Sequence, residues 1–179
     1  MHMILKPQDI VIALKLVIQD QPWTYSTLSA DLVMSASEIN KGVKRLLCAE
    51  LLRPPYPEER QPQPHRAAIS EFLGHGLRYA FPQVSGGMVR GLPTSYAAPP
   101  LDEVIVASSE PVPVWPWVHG KVRGLSRQPL YRTVPEAASK DAALYEILVI
   151  AEGLRDPSVR VRNVAERLLQ KRMASPTVD

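Results

Sequence analysis

The chain has 179 residues, 45% of them hydrophobic and 22% charged, with a formal net charge of +3. That is enough apolar material to bury a core without a partner or metal, and the mild positive balance permits contact with phosphate without demanding it. A lone cysteine, Cys48, excludes an intramolecular disulfide and any multi-cysteine zinc site, and no run of about 18 apolar residues exists to span a membrane.

The N-terminal residues lack the basic, apolar and small-residue regions of a secretory signal, so a soluble cytoplasmic protein is expected. Pro7 suits a first helical turn, and Ile10, Ile12, Ala13, Leu14, Leu16, Val17 and Ile18 then make the first helix apolar nearly all round. Such a helix has to be covered on every side, by its own domain or by a second subunit; it is the foremost candidate for a dimer interface. After Asp20-Gln21-Pro22, Thr24 is the expected N-cap of a helix carrying Tyr25, Leu28, Ala30 and Leu32. Val33 and Met34 turn the chain into a third helix, from Ser35 to about Ala49. Ser35 and Glu38 have the spacing of a capping box, in which each side chain satisfies an orphan amide of the first turn. Ile39, Val43, Leu46 and Leu47 gather on one face of this helix, and Ser37, Lys41, Lys44 and Arg45 on the other, with Asn40 at the edge. Gly42, on its flank, allows a neighbouring helix to approach closely.

Between Arg53 and Arg66 the prolines Pro54, Pro55, Pro57, Pro62 and Pro64 forbid helix and any central strand. A helix over residues 66–80 is expected from Ala67, Ala68, Ile69, Phe72, Leu73, Leu77 and Tyr79, weakened by Gly74 and Gly76 and ended by Phe81-Pro82. Residues 83–135 are rich in glycine and proline. There Val104 to Ala107 suggest a buried strand, Val112 to Val118 and Lys121 to Leu125 suggest a hairpin, and Gly86 to Gly91 suggest a flexible turn. Trp115, Trp117 and Tyr131 supply bulk there, either for core packing or for gripping a partner. Helix returns over residues 136–173, with Asp156-Pro157 as the start signal of the last one and a tail from Ala174 that should fray. In that last helix Arg160, Arg167 and Lys171 share one face, opposite Val161, Val164 and Leu168.

Nothing in the chain has the pattern of an active site. His2, His65, His75 and His119 are scattered, none at metal spacing, and no nucleophile elbow, Walker loop or zinc-protease motif occurs. Asp102 and Glu103 are adjacent and would point to opposite faces of a strand. Cys48 lies near cationic residues that would favour a thiolate, which makes redox sensing conceivable, although a structural cysteine is the commoner case. No catalytic residue, metal or cofactor is expected.

A short apolar helix, a tight turn and a capped amphipathic helix with a cationic face make the pair that places a helix in the major groove of DNA. The pattern of Leu28, Leu32, Ser35, Ser37, Ile39, Val43, Leu46 and Leu51-Leu52 resembles the winged helix-turn-helix bacterial transcriptional regulators of the MarR-like type, over about residues 5–66. The resemblance makes the Ser35 helix the recognition helix and the proline-rich stretch the wing. The latter departs from the family pattern, because Glu58 and Glu59 stand beside Arg53, Arg60 and Arg66 and the prolines disfavour a regular hairpin. The expected fold is α+β, mainly α. Residues 1–66 would form the DNA-binding domain, and residues 67–179 a mixed region for sensing, interaction or dimerisation. The expected contacts to double-stranded DNA are Thr24, Tyr25 and Ser26 at the backbone, Ser35, Ser37, Asn40, Lys41, Lys44 and Arg45 on the recognition helix, and Arg53 at the wing. The function implied is a sequence-specific regulator, a repressor acting as a homodimer. The alternative is a protein-interaction module, such as the antitoxin of a toxin–antitoxin pair. The segment from Gly153 to Arg172 bears a faint resemblance to helical tails of regulators encoded beside nucleotidyltransferase-type toxins.

Overall fold

The computed structural model describes residues 3–106 and 111–174. Its fold is α+β and mainly α, with eight α-helices and five short strands among the described residues. Helix α1 (Pro7–Val17) begins where a proline costs no hydrogen bond, and Asp9 closes its first turn by accepting the Lys6 amide at 2.8 Å. From Asp9 to Val17 every residue of α1 is buried. The chain's own elements cover it, α3 on one side and α7 on another, so α1 is not a dimer face.

Helix α2 (Tyr25–Leu32) ends at Val33, which has φ 54° and ψ 42°, a left-handed conformation that a β-branched side chain rarely adopts. Ser29 accepts the Val33 and Met34 amides on its carbonyl, and the turn delivers the chain directly into α3 (Ala36–Cys48). A Cβ on Gly42 would lie 2.4 Å from the Ile12 side chain, so the missing side chain is what lets α3 settle against α1. Strands β1 (Leu52–Arg53) and β2 (Gln63–Pro64) form a two-residue antiparallel ladder, and the proline-rich loop of residues 54–62 projects between them.

The expected helix over residues 66–80 is broken into α4 (Arg66–His75) and α5 (Leu77–Ala80), the break falling at Gly76. Residues 83–127 differ most from expectation. The glycine-rich stretch is not a loose turn but the longest strand, β3 (Ser85–Pro93). Strands β4 (Pro113–Pro116) and β5 (Val122–Arg127) do not form a hairpin with each other. Each runs antiparallel to β3, on opposite edges of it, so they are mutually parallel and pair at Pro113–Leu125 and Val114–Ser126 to close a three-stranded ring. So tight a closure brings backbone against backbone at its glycines. A Cβ on Gly91 would lie 2.1 Å from the Trp115 carbonyl oxygen, and one on Gly124 2.1 Å from that of Val112. The strand expected from Val104 is absent: Leu101–Glu103 is a single 3₁₀ turn, Ile105 is buried, and Ala107 lies outside the described residues.

Helices α6 (Val134–Lys140), α7 (Ala142–Leu154) and α8 (Val159–Ala174) complete the chain. The last starts two residues later than Asp156-Pro157 suggests. Asp156 is buried and accepts the Ser95 hydroxyl at 2.9 Å, while its other oxygen accepts the Ser158 amide at 2.9 Å. One apolar cluster runs from Ile10 in α1 to Leu169 in α8, crossing the boundary expected at residue 66. Arg155 ties the ring to α7. Its guanidinium donates to the carbonyls of Phe81 and Gln128, each at 3.0 Å, and to Glu152 at 2.8 Å, and Glu152 also accepts the Trp115 indole N–H at 3.1 Å. No helix among the described residues is long and apolar enough to cross a membrane.

Candidate nucleic-acid interface

The capping box forms as spaced. Ser35 Oγ accepts the Glu38 amide at 3.2 Å, and the Glu38 carboxylate accepts the Ser35 amide at 3.0 Å. Ser35 is therefore occupied in building the helix start. Glu38 also accepts the Tyr131 hydroxyl, a contact from the segment that follows β5. That bond, followed by the Ser35 amide, holds the Glu38 carboxyl below the usual carboxylate range. Two residues on, Thr133 donates to the Leu32 carbonyl at 2.8 Å, bracing the strained turn at Val33. The segment after β5 thus clasps the α2–α3 turn from outside.

Ile39, Val43 and Leu46 are buried, and the opposite side of α3 faces solvent. Ser37, Lys41, Lys44 and Cys48 follow at steps of four, three and four residues, so they make one exposed stripe. Asn40 is half-buried at its edge, as expected. Lys41 and Lys44 have no ion pair or side-chain hydrogen bond among the described residues. Arg132 extends this cationic surface: it is exposed, and its charge acts on Glu38 at the start of α3.

Two expected DNA contacts are corrected. Arg45 does not join the exposed stripe. It turns along the flank of α3 toward α1 and grips Asp9 with two bonds of 2.7 Å, its side chain 12% exposed and that of Asp9 fully buried. A bidentate bond to a buried carboxylate is far stronger than a contact offered to water, so Arg45 belongs to the scaffold. Arg53 is likewise engaged. It donates to both oxygens of Glu59 at 2.6 and 2.7 Å, and its guanidinium sits 4.0 Å from the Tyr56 ring centre. Glu59 also accepts the Tyr56 amide at 2.8 Å, and with Arg53 foremost these bonds pull its pKa down to about 2. The proline-rich loop is thus held in shape by its own charges, and its exposed cation is Arg60, beside the exposed Glu58.

At the start of α2, Thr24 and Thr27 cap each other, Thr24 Oγ1 accepting the Thr27 amide at 3.1 Å and Thr27 Oγ1 accepting the Thr24 amide at 2.9 Å. Tyr25 packs edge-on to Trp23 with ring centres 5.4 Å apart, and Ser26 is exposed. The Trp23 indole N–H reaches the Pro62 carbonyl at 3.3 Å, fixing the loop after β1 to the start of α2. Trp115, Trp117 and Tyr131 do not cluster: Trp115 is core, Tyr131 serves α3, and Trp117 is half-buried at the ring surface beside His119. No group of His, Cys, Asp and Glu among the described residues is arranged to hold a metal; His2 lies outside them.

Asp9, Arg132 and Thr133 are not singled out by the sequence, and Tyr131 reads there as bulk for the core or a partner rather than as a donor to Glu38. An acid three residues after Lys6 reads only as a helix-start residue, and nothing local announces a partner 36 positions away. The clasp at Tyr131–Thr133 is wholly tertiary. Comparison with protein-family models, with curated proteins and with solved structures finds no match to the chain.

Proposed function

We propose that the protein is a sequence-specific, double-stranded-DNA-binding transcriptional regulator, with α2 and α3 as a helix-turn-helix and β1–β2 as a short wing. The observation that carries this reading is the exposed stripe Ser37–Lys41–Lys44 on a helix whose opposite face is fully buried. Its lysines are free to neutralise phosphates or reach guanine edges, and Asn40 at its margin is suited to adenine. Ser26 at the start of α2 and Arg132, whose charge acts on Glu38, are exposed and would meet the DNA backbone. The wing contributes less, because Arg53 is already paired and Arg60 is balanced by Glu58. The protein acts as a cytoplasmic homodimer repressing transcription, since two-fold proteins read paired half-sites one helical turn apart.

Selection from random duplexes by the full-length protein, followed by mobility shifts across a salt series, tests the proposal. Replacing Lys41 and Lys44 together with alanine should weaken binding at least tenfold, roughly 1–3 kcal/mol, and flatten the salt dependence by about one unit of slope for each phosphate that is no longer neutralised. Failure to shift any duplex at low salt, or a double variant that binds like the parent, refutes it.

A further inference from the structure

A second cationic surface lies on the ring and has no part in the reading above. On the outer side of the β3–β5 ladder Arg90 stands directly opposite Arg123, and the next same-side pair is Met88 opposite Leu125. Lys121 continues this side of β5. All five are exposed, Met88 at 43% and Leu125 at 38%. Like charges facing each other across an antiparallel pair are destabilising unless something between them is anionic. Among the described residues no carboxylate pairs with Arg90, Lys121 or Arg123, and none of the three makes a side-chain hydrogen bond. The inner side of the same ladder is Val89, Gly91, Val122 and Gly124, so the outer residues cannot turn inward.

The surface is also concave. Met88, Val89, Arg90, Lys121, Val122 and Arg123 line a hollow of about 310 Å³. Across Arg90 a shallower one of about 590 Å³ is lined by Pro116, Trp117 and Val118, with Val118 81% exposed. Arg90 thus stands between a cationic hollow and an apolar one.

We infer that this face of the ring docks an acidic, aliphatic-bearing segment of a partner protein, its carboxylates meeting Arg90, Lys121 and Arg123 and its aliphatic side chains entering the Trp117–Val118 hollow. Charge complementarity sets the sign of the occupant. The composition of the surface sets its class. Single-stranded nucleic acid is held by cations together with a series of aromatic platforms, whereas here the exposed apolar groups beside the cations are Met88, Leu125 and Val118, with Trp117 the one aromatic ring lining the two hollows. Exposed aliphatic side chains among cations match a polypeptide carrying both kinds of residue.

A displayed random-peptide library selected on the full-length protein tests this, counter-selected on the variant with R90E and R123E. Recovered peptides should be rich in Asp and Glu interspersed with Leu, Ile or Val. Synthetic versions should lose at least tenfold in affinity on the double variant, and their Glu→Gln and Leu→Ser forms should each bind more weakly to the parent. Duplex binding through Lys41 and Lys44 should be unchanged in the double variant, which also verifies its folding and separates this proposal from the DNA reading. A recovered pool without acidic bias, peptides that bind both proteins alike, or an oligothymidylate that binds the parent more tightly than any peptide and loses that binding in the double variant would each overturn the proposal, the last in favour of single-stranded nucleic acid.

Discussion

The helices α1 to α3 and the ring β3 to β5 reach rigidity by opposite routes. In the helical unit, buried side chains hold the elements together: Ile10, Ile12, Leu28, Ile39, Val43 and Leu46 interlock, and a single bidentate pair, Asp9 with Arg45, fixes how α3 lies on α1. In the ring, the missing side chains matter as much. Gly91, Gly120 and Gly124 bring backbone against backbone, and the buried charges of Glu152 and Arg155 anchor the assembly to α7. A structure built by interlocking side chains tolerates small adjustments. One built by backbone contact does not, because main-chain atoms have nowhere to move.

The sharpest way to break the helical half of that comparison is to remove Asp9. Asp9→Ala strands the Arg45 charge at a poorly exposed site, and losing one partner of a buried pair costs about 3–5 kcal/mol. Urea unfolding should show that loss, and D9L combined with R45M should recover most of it, since a well-packed apolar pair often replaces a buried ion pair without cost. If D9A unfolds at the parent's midpoint, Arg45 is no brace and its guanidinium is free to meet DNA. Next in size is a contrast between two glycines. Gly91→Ala sets a methyl group against the Trp115 carbonyl and should cost about 3 kcal/mol, the upper end of overpacking. Gly42→Ala meets side-chain atoms rather than backbone, the end of Ile12 at 2.4 Å and the Asp9 carboxylate at 3.1 Å, and gains about 1 kcal/mol of helix propensity, so its net cost should be clearly smaller than that of Gly91→Ala. Equal losses for the two would remove the distinction between the regions.

That same distinction explains what can be read from the chain. The three N-terminal helices, their caps at Thr24 and Ser35, and the buried stripe of Ile39, Val43 and Leu46 are legible because periodicity and capping act within a few residues. The exposed stripe of Ser37, Lys41 and Lys44 follows from the same angles. Arg45 sits only slightly off that stripe, and its fate is decided by Asp9 on another helix. The ring is illegible for a different reason. Glycines in Gly86-Gly87-Met88-Val89-Arg90-Gly91 read as a turn, yet here a glycine marks a strand approached by another backbone. The prolines of β4 likewise point to an edge strand, without revealing that β4 pairs parallel with β5.

A smaller effect tests how the two regions are joined. Tyr131→Phe removes the donor to Glu38 while keeping the ring, so it should cost about 1 kcal/mol, the scale of a partly exposed hydrogen bond to a charged acceptor. The carboxyl of Glu38 should titrate closer to its ordinary value in the variant, because Tyr131 is the largest influence lowering it. Urea unfolding and a carboxyl titration by NMR read the two consequences separately. A variant in which neither moves would mean that the segment after β5 lies beside α3 without holding it.

The smallest effect concerns the join between α1 and α7. Lys15 donates to Asp141 at 2.8 Å and lies 3.2 Å from Asp31, while Asp141 also caps α7 by accepting the Leu144 amide at 3.0 Å. Burial pushes the Asp141 carboxyl up, but Lys15 and the cap amides outweigh it and leave it below its ordinary value. For Lys15 burial works downward, and the two carboxylates outweigh that and raise it. A carboxyl with a lowered folded pKa contributes stability at neutral pH that is lost as the pH falls from about 4 through the native value. A raised ammonium contributes below its unfolded pKa and fades above about 10.4 as the pH rises through the native one. The parent should therefore lose stability below about pH 4, and Asp141→Asn should start lower at pH 7 yet lose less on going to pH 3. The difference should be modest, because the Asp141 side chain is 30% exposed and water screens the pair. Unfolding midpoints in urea at pH 7, 5 and 3 decide the matter. An acid loss in D141N as large as the parent's would place that sensitivity in the front of the molecule, at Glu38 and Glu59, whose carboxyls are also held low.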